Sequence, residues 1–144
     1  MGAQIAGHLG NAGIPSYLFD INKELAEKGK NSLSTLKPAP LYQPQNIDLV
    51  TSCTYDDDLE KIAESDWVLE AVVERLDIKE MIYQKLLPHL KPETILTSNT
   101  SGIPLNDLTA SLPENVKQRF MITHFFNPPR YMQLLELVRG KETT

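Results

Sequence analysis

The sequence is short of the residues that several functions need. It has one cysteine, Cys53, so no internal disulfide can form and a reducing compartment is expected. Its three histidines, His8, His89 and His124, share no ligand spacing with Cys53 or with clustered acids, so no metal site is expected. Lys and Arg number 14 against 19 Asp and Glu, and the net charge of −5 argues against nucleic acid or an anionic membrane as partner. No apolar run approaches the roughly 20 residues that a membrane-spanning helix needs. The N-terminus has neither the basic nor the apolar region of a secretory signal, which makes the cytoplasm the expected location. There is no internal repeat and no low-complexity segment. What is present, 41% apolar and 23% charged residues in a chain of 144, is a globular composition, long enough for one domain with a real core.

Helical and strand patterns alternate along that chain. Ile5, Leu9 and Ala12 share one helical face, as do Ala3 and Ala6, and Gly13 suits the left-handed position just past a helix end. Tyr17-Leu18-Phe19-Asp20 reads as a strand ending in an acid. Asn22 can cap a helix whose Leu25, Gly29, Leu33 and Leu36 lie on one face, and Pro38, Pro40 and Pro44 mark a loop. Residues 49–55 suit a short strand, and Asp56-Asp57-Asp58 the solvated start of a helix. Trp67 to Val73 is a nearly continuous apolar run, as in a parallel strand covered on both faces, with Glu74 at its carboxyl end. Asp77-x-x-Glu80 predicts a cap for a helix that turns Ile78, Met81, Ile82 and Leu86 inward. Strands follow at 94–98, 119–124 and 133–138, with Pro104 in the first turn of a helix that stops by Pro113. Such alternation predicts an α/β fold, a mostly parallel sheet with helices on both faces. In such sheets ligands lie outside the carboxyl ends of the strands, where Asp20, Glu74, Ser98 to Ser101 and His124 all fall.

The chemistry concentrates in Thr123-His124-Phe125-Phe126-Asn127-Pro128-Pro129 and in Leu134-Leu135-Glu136-Leu137-Val138. The leucines around Glu136 predict a buried strand, where an ionised carboxylate is costly unless paired. An imidazole is the cheapest partner. A carboxylate that fixes the ring's tautomer makes the ring a general base. The plainer alternative is a satisfied core histidine beside an unrelated surface glutamate. Gly2 fits the last glycine of a phosphate-binding loop, with a pyrophosphate at the helix N-terminus. Asp20 lies at the distance where an acid binds adenosine ribose hydroxyls, though a strand-end Asp is also a common turn residue. With no Arg beside it, Asp20 favours NAD over NADP. Ser98-Asn99-Thr100-Ser101 offers hydroxyls and an amide on a loop, though most such runs are helix-capping turns.

Met1-Gly2-x-x-Ile5-Ala6, Leu18-Phe19-Asp20, Glu70-Ala71-Val72-Val73-Glu74, Ser98-Asn99-Thr100-Ser101, His124-Phe125-Phe126-Asn127-Pro128 and Leu135-Glu136-Leu137-Val138 occur in one order. Together they resemble the NAD-binding domain of the 3-hydroxyacyl-CoA dehydrogenases over essentially the whole chain. That resemblance implies a Rossmann-like doubly wound sheet and reversible oxidation of an (S)-3-hydroxyacyl-CoA to the 3-ketoacyl-CoA, as in fatty-acid β-oxidation, with hydride passing to NAD. It implies His124 as the base, Glu136 as its orienting partner, and Ser101 and Asn127 against the substrate. Gly2, Asp20, Glu74 and Lys79 would serve the cofactor, Glu74 and Lys79 near its nicotinamide half. An acyl-CoA substrate and a homo-oligomer follow from the same resemblance.

Two departures from the family pattern stand out. The first strand and the first two glycines of the phosphate loop have no counterpart ahead of Gly2, which should leave unpaired sheet edges. The family's second, helical domain, which closes over the acyl-CoA and makes the dimer, has no counterpart before Thr144. The expectation is therefore a truncated NAD-binding domain over residues 1–144. Two alternatives stay open. One is a non-catalytic fragment that binds NAD poorly and completes its sheet by pairing edges with another chain. The other is a related dehydrogenase acting on a shorter hydroxy acid.

Overall fold

The computed structural model describes all 144 residues, and they cluster into two compact units. Residues 1–59 with 125–134 make the first; residues 60–124 with 135–144 make the second.

In the first unit the elements are α1 (Gly2–Asn11), β1 (Ser16–Asp20), α2 (Lys23–Ser32) and β2 (Val50–Thr54). β1 and β2 pair in parallel, with Ser16 opposite Val50 and Asp20 opposite Thr54. The core is Ala6, Leu33, Leu41 and Val50, with Leu18 and Ile47 packed against it. α1 turns Ile5, Ala6, Gly7 and Gly10 inward, so each of the two expected faces supplies one buried residue, Ile5 or Ala6, while Ala3 and Leu9 are half-buried and Ala12 is exposed. The reason is close approach: a Cβ on Gly7 would lie 2.9 Å from the Leu33 side chain. Only a face of very small residues packs this tightly. Gly13 takes the predicted left-handed backbone, φ 78°, and the amides of Gly13 and Ile14 close the helix on the carbonyls of Gly10 and Leu9.

Asn22 caps α2 as expected, its Oδ1 accepting from the Leu25 amide at 2.9 Å. The helix stops at Ser32, short of the expected Leu36. There the Ser32 and Thr35 hydroxyls bond back to the carbonyls of Gly29 and Ser32, the local competition that shortens helices. The proline-rich loop is pinned from residues 130–131. Arg130 Nη1 donates to the Ala39 and Leu41 carbonyls, both at 2.7 Å, and its guanidinium lies 4.3 Å from the Tyr42 ring centre. Asp57 and Asp58 do not begin an α-helix. Asp58 accepts from the Thr54 amide and Asp57 bonds the Thr54 hydroxyl, and a 3₁₀ turn, Leu59–Glu64, follows.

The second unit holds β3 (Trp67–Glu70), α3 (Leu76–Leu86), β4 (Ile95–Ser98), α4 (Leu105–Thr109), α5 (Glu114–Lys117), β5 (Phe120–Phe125) and β6 (Leu135–Arg139). Its sheet runs β3-β4-β5-β6, with the β3–β4 and β4–β5 pairs parallel. The strands of the chain thus form two sheets where the alternation predicted one. Leu96, Phe120, Ile82 and Tyr83 are buried, the Tyr83 ring standing edge-on to Phe120 at 5.9 Å.

Four expectations fail in this unit. β3 ends at Glu70, not Val73, because the Glu70 carboxylate captures the Val72 amide and turns the chain. Asp77 does not cap α3: the cap residue is Arg75, and Asp77 pairs with its guanidinium at 2.7 Å in the open. The buried face of α3 is Lys79, Ile82, Tyr83 and Leu86, while Met81 is exposed. β6, expected to be buried, is exposed along its whole length as the edge strand of its sheet.

The cap assignments separate two substitutions. Asn22→Ala removes a made cap bond and should lower stability by about 1 kcal/mol. Asp77→Ala removes only an exposed ion pair and should stay within about 0.5 kcal/mol of the parent. Urea unfolding of the two variants measures both; an equal loss would contradict the assignment.

Candidate active site

β5 and β6 are neighbours in the sheet, so a side chain near the end of one can reach across to the other. His124 and Glu136 do so. His124 Nδ1 lies 2.9 Å from Glu136 Oε2, and the side chains are 18% and 52% exposed. The contact expected from sequence is made, but not for the expected reason, since Glu136 keeps half its surface in water. A carboxylate at Nδ1 favours the ring tautomer that carries its proton there.

The buried carboxylate of this chain is Glu70, whose side chain is fully enclosed. It ends β3 and faces four donors. The Val72 amide and the Lys79 ammonium each reach Oε1 at 2.7 Å. The Tyr83 hydroxyl and the Ser98 hydroxyl reach Oε2 at 3.0 and 2.6 Å. Burial, with the charge of Glu70 beside it, pushes the Tyr83 hydroxyl far above its usual pKa, so it remains a donor. Lys79 is itself buried and reaches a second acid, Glu74 Oε2, at 3.5 Å. Glu74 also accepts from the Thr100 hydroxyl, and the same Thr100 oxygen accepts from the Gly102 and Ile103 amides. Desolvation raises the Glu74 pKa. The hydrogen bond from Thr100, the charge of Lys79 and the Gly102 amide together outweigh it and hold the carboxyl below its ordinary value.

Of the residues singled out from sequence, the fold joins His124 to Glu136 and Lys79 to Glu74. Ser101 is exposed in the loop after β4, one residue past Thr100. In the first unit Gly2 opens α1 and Asp20 ends β1. Asp20 Oδ1 accepts from the Ile21 amide at 2.7 Å, which orients the carboxylate. Asn127 Oδ1 accepts from Gln4 Nε2 at 3.3 Å, beside the first turn of α1. Sequence reading gave no role to Glu70 or Tyr83, and it named Ser98 and Thr100 only as part of the polar loop 98–101. The signal for Glu70 was present: a carboxylate inside Trp67-Val68-Leu69-Glu70-Ala71-Val72-Val73, the same pattern that drew attention to Glu136.

The whole chain, residues 1–144, matches the family described as 3-hydroxyacyl-CoA dehydrogenase, NAD binding domain. The chain belongs to that family. A putative fatty acid oxidation complex trifunctional enzyme of Rickettsia felis is 43% identical over 96% of this chain and 20% of its own length. A probable 3-hydroxyacyl-CoA dehydrogenase of Bacillus subtilis is 40% identical over 99% of this chain and 21% of its own. The chain thus spans about a fifth of these relatives. The crystal structure of the 3-hydroxybutyryl-CoA dehydrogenase of Escherichia coli superposes with a TM-score of 0.84 at 28% identity, covering 100% of this chain and 31% of that one. The α/β fold with parallel sheets is therefore the Rossmann-like fold of these dehydrogenases, and NAD is the cofactor of the family.

The first unit fits that cofactor. α1 has no side-chain cap and no acid in its first turn, so backbone N–H donors and the positive end of its dipole are presented to an anion. Asp20 supplies a carboxylate at the strand end, suited to ribose hydroxyls.

A carboxyl whose folded pKa is depressed stabilises the fold in its ionised form. That contribution is complete above the ordinary value of 4.5 and is lost as the pH falls through the lowered one. Glu74→Gln should therefore flatten the loss of Tm on acidification from about pH 5 to pH 3. Equal slopes for parent and variant, measured by circular dichroism melts, would contradict the role of the Thr100 and Lys79 contacts.

Proposed function

We propose that this chain is the cofactor-and-base part of an NAD-dependent dehydrogenase that oxidises an (S)-3-hydroxyacyl-CoA to the 3-ketoacyl-CoA, a reaction of fatty-acid β-oxidation. The observation that carries the reading is the 2.9 Å contact between His124 Nδ1 and Glu136 Oε2 in a chain of this family. Glu136 holds the ring in the tautomer that leaves Nε2 as acceptor and stabilises the imidazolium once formed. His124 takes the proton of the substrate hydroxyl. NAD, when bound, supplies the hydride acceptor. Ser101 and Asn127 hold the reacting oxygen and neighbouring groups. Gly2 and the first turn of α1 receive the pyrophosphate, Asp20 the adenosine ribose, and Glu74 and Lys79 the nicotinamide half. Residues 1–144 form the NAD-binding domain of a longer protein, whose helical domain completes the acyl-CoA site and makes a homo-oligomer. The setting is cytoplasmic.

In the longer protein that carries the complete acyl-CoA site, His124→Ala should lower turnover of a 3-hydroxyacyl-CoA by about 10²–10⁴-fold with little change in NADH affinity. Glu136→Gln should also slow turnover, by removing the charge that stabilises the imidazolium. Steady-state kinetics beside NADH fluorescence titrations measure both effects. NADH affinity that collapses with His124, or kinetics unchanged by Glu136→Gln, would contradict these roles.

A further inference from the structure

The reaction proposed above makes no use of Glu70, the most enclosed carboxylate of the second unit and the one with the most partners. Those partners come from three separate segments. Val72 lies in the turn after β3, Lys79 and Tyr83 on successive turns of α3, and Ser98 at the end of β4. The Asn99 amide also donates to the Glu70 backbone carbonyl at 2.8 Å, tying the start of the next loop to the same residue. From this centre the contacts run outward. Lys79 passes from Glu70 to Glu74, Glu74 accepts from Thr100, and Thr100 accepts from the amides of Gly102 and Ile103, the two residues that follow Ser101. Glu74 is half-exposed, so this outer end of the network meets solvent while Glu70 does not.

We propose that Glu70 is a positioning residue for the cofactor site: it fixes the Lys79 ammonium, and through it Glu74 and the loop carrying Ser101, in the arrangement that receives the nicotinamide half of NAD. The inference rests on the function proposed above and deepens it. The geometry separates this role from simple charge neutralisation. A carboxylate present only to offset Lys79 would need that one contact. Glu70 instead uses both oxygens, one on the ammonium and the turn amide, the other on two hydroxyls from different elements. Such a carboxylate cannot rotate without breaking bonds to two segments at once. The buried ammonium therefore has one place to sit, aimed at Glu74.

The test compares NADH with ADP-ribose, which lacks the nicotinamide, on the full chain and two variants. Glu70→Gln keeps the shape and loses the charge. Glu70→Asp keeps the charge and shortens the reach, so Lys79 retains a counter-charge that the first variant removes. Titration by fluorescence and calorimetry should show the NADH Kd raised about tenfold in Glu70→Gln and several-fold in Glu70→Asp. The ADP-ribose Kd should stay within about twofold of the parent in every variant that folds. A purely structural role would lower Tm and leave the ratio of the two dissociation constants unchanged. That unchanged ratio in Glu70→Asp, or NADH binding equal to the parent, would overturn the proposal while leaving the NAD reading intact. A parent chain that binds neither ligand would overturn the NAD reading and this proposal together.

Discussion

A lysine in the core is the constraint around which the second unit is built. Lys79 is 1% exposed, and an ammonium cannot stay charged there without a partner that is itself anchored. Glu70 is that partner, and meeting its demands fixes much else. β3 must end where its last side chain can face α3. The chain must turn at once so that the Val72 amide reaches the same carboxylate. α3 must present Lys79 and Tyr83 one turn apart on its inner face, and β4 must end on a hydroxyl. Each of these local features is unremarkable alone. Together they leave the network one arrangement, because breaking any contact strands a buried polar group.

The His124–Glu136 pair is organised on a different principle. It depends on register, not burial. Two adjacent strands bring the residues into contact, and the carboxylate remains half in water. A strand shifted by one residue would send Glu136 to the opposite face, so the pairing of β6 beside β5 decides whether the imidazole is oriented. The two pairs thus divide the work: one is locked by its surroundings, the other by the order of the strands.

Much of this was legible in the residues, and the failures have physical causes. Alternation of periodicities gave the α/β class and most strand positions, and Asn22 and Gly13 announced their roles because caps and left-handed turns are local. Burial was harder. The rule that a carboxylate in an apolar run must be paired is sound, but it was applied to Glu136, on an exposed edge strand, when Glu70 obeys it. The inner face of α3 was misread because Lys79 enters the core only with a partner that periodicity cannot see. Asp77 carried the signature of a cap, yet Arg75 two residues before it was the nearer attraction. Gly7 went unnoticed in the inward face of α1 because it matters for what it lacks: its packing against Leu33 depends on a side chain 26 positions away.

As a member of an NAD-binding domain family, the chain is proposed to bind NAD through the first turn of α1 and Asp20. A fluorescence titration with NADH and NADPH, run side by side on the parent chain, tests it most directly. The expected result is saturable binding of NADH with NADPH at least about tenfold weaker, since a 2′-phosphate would meet the Asp20 carboxylate. Equal affinity for the two would contradict the role of Asp20, and saturation by neither would contradict the claim itself.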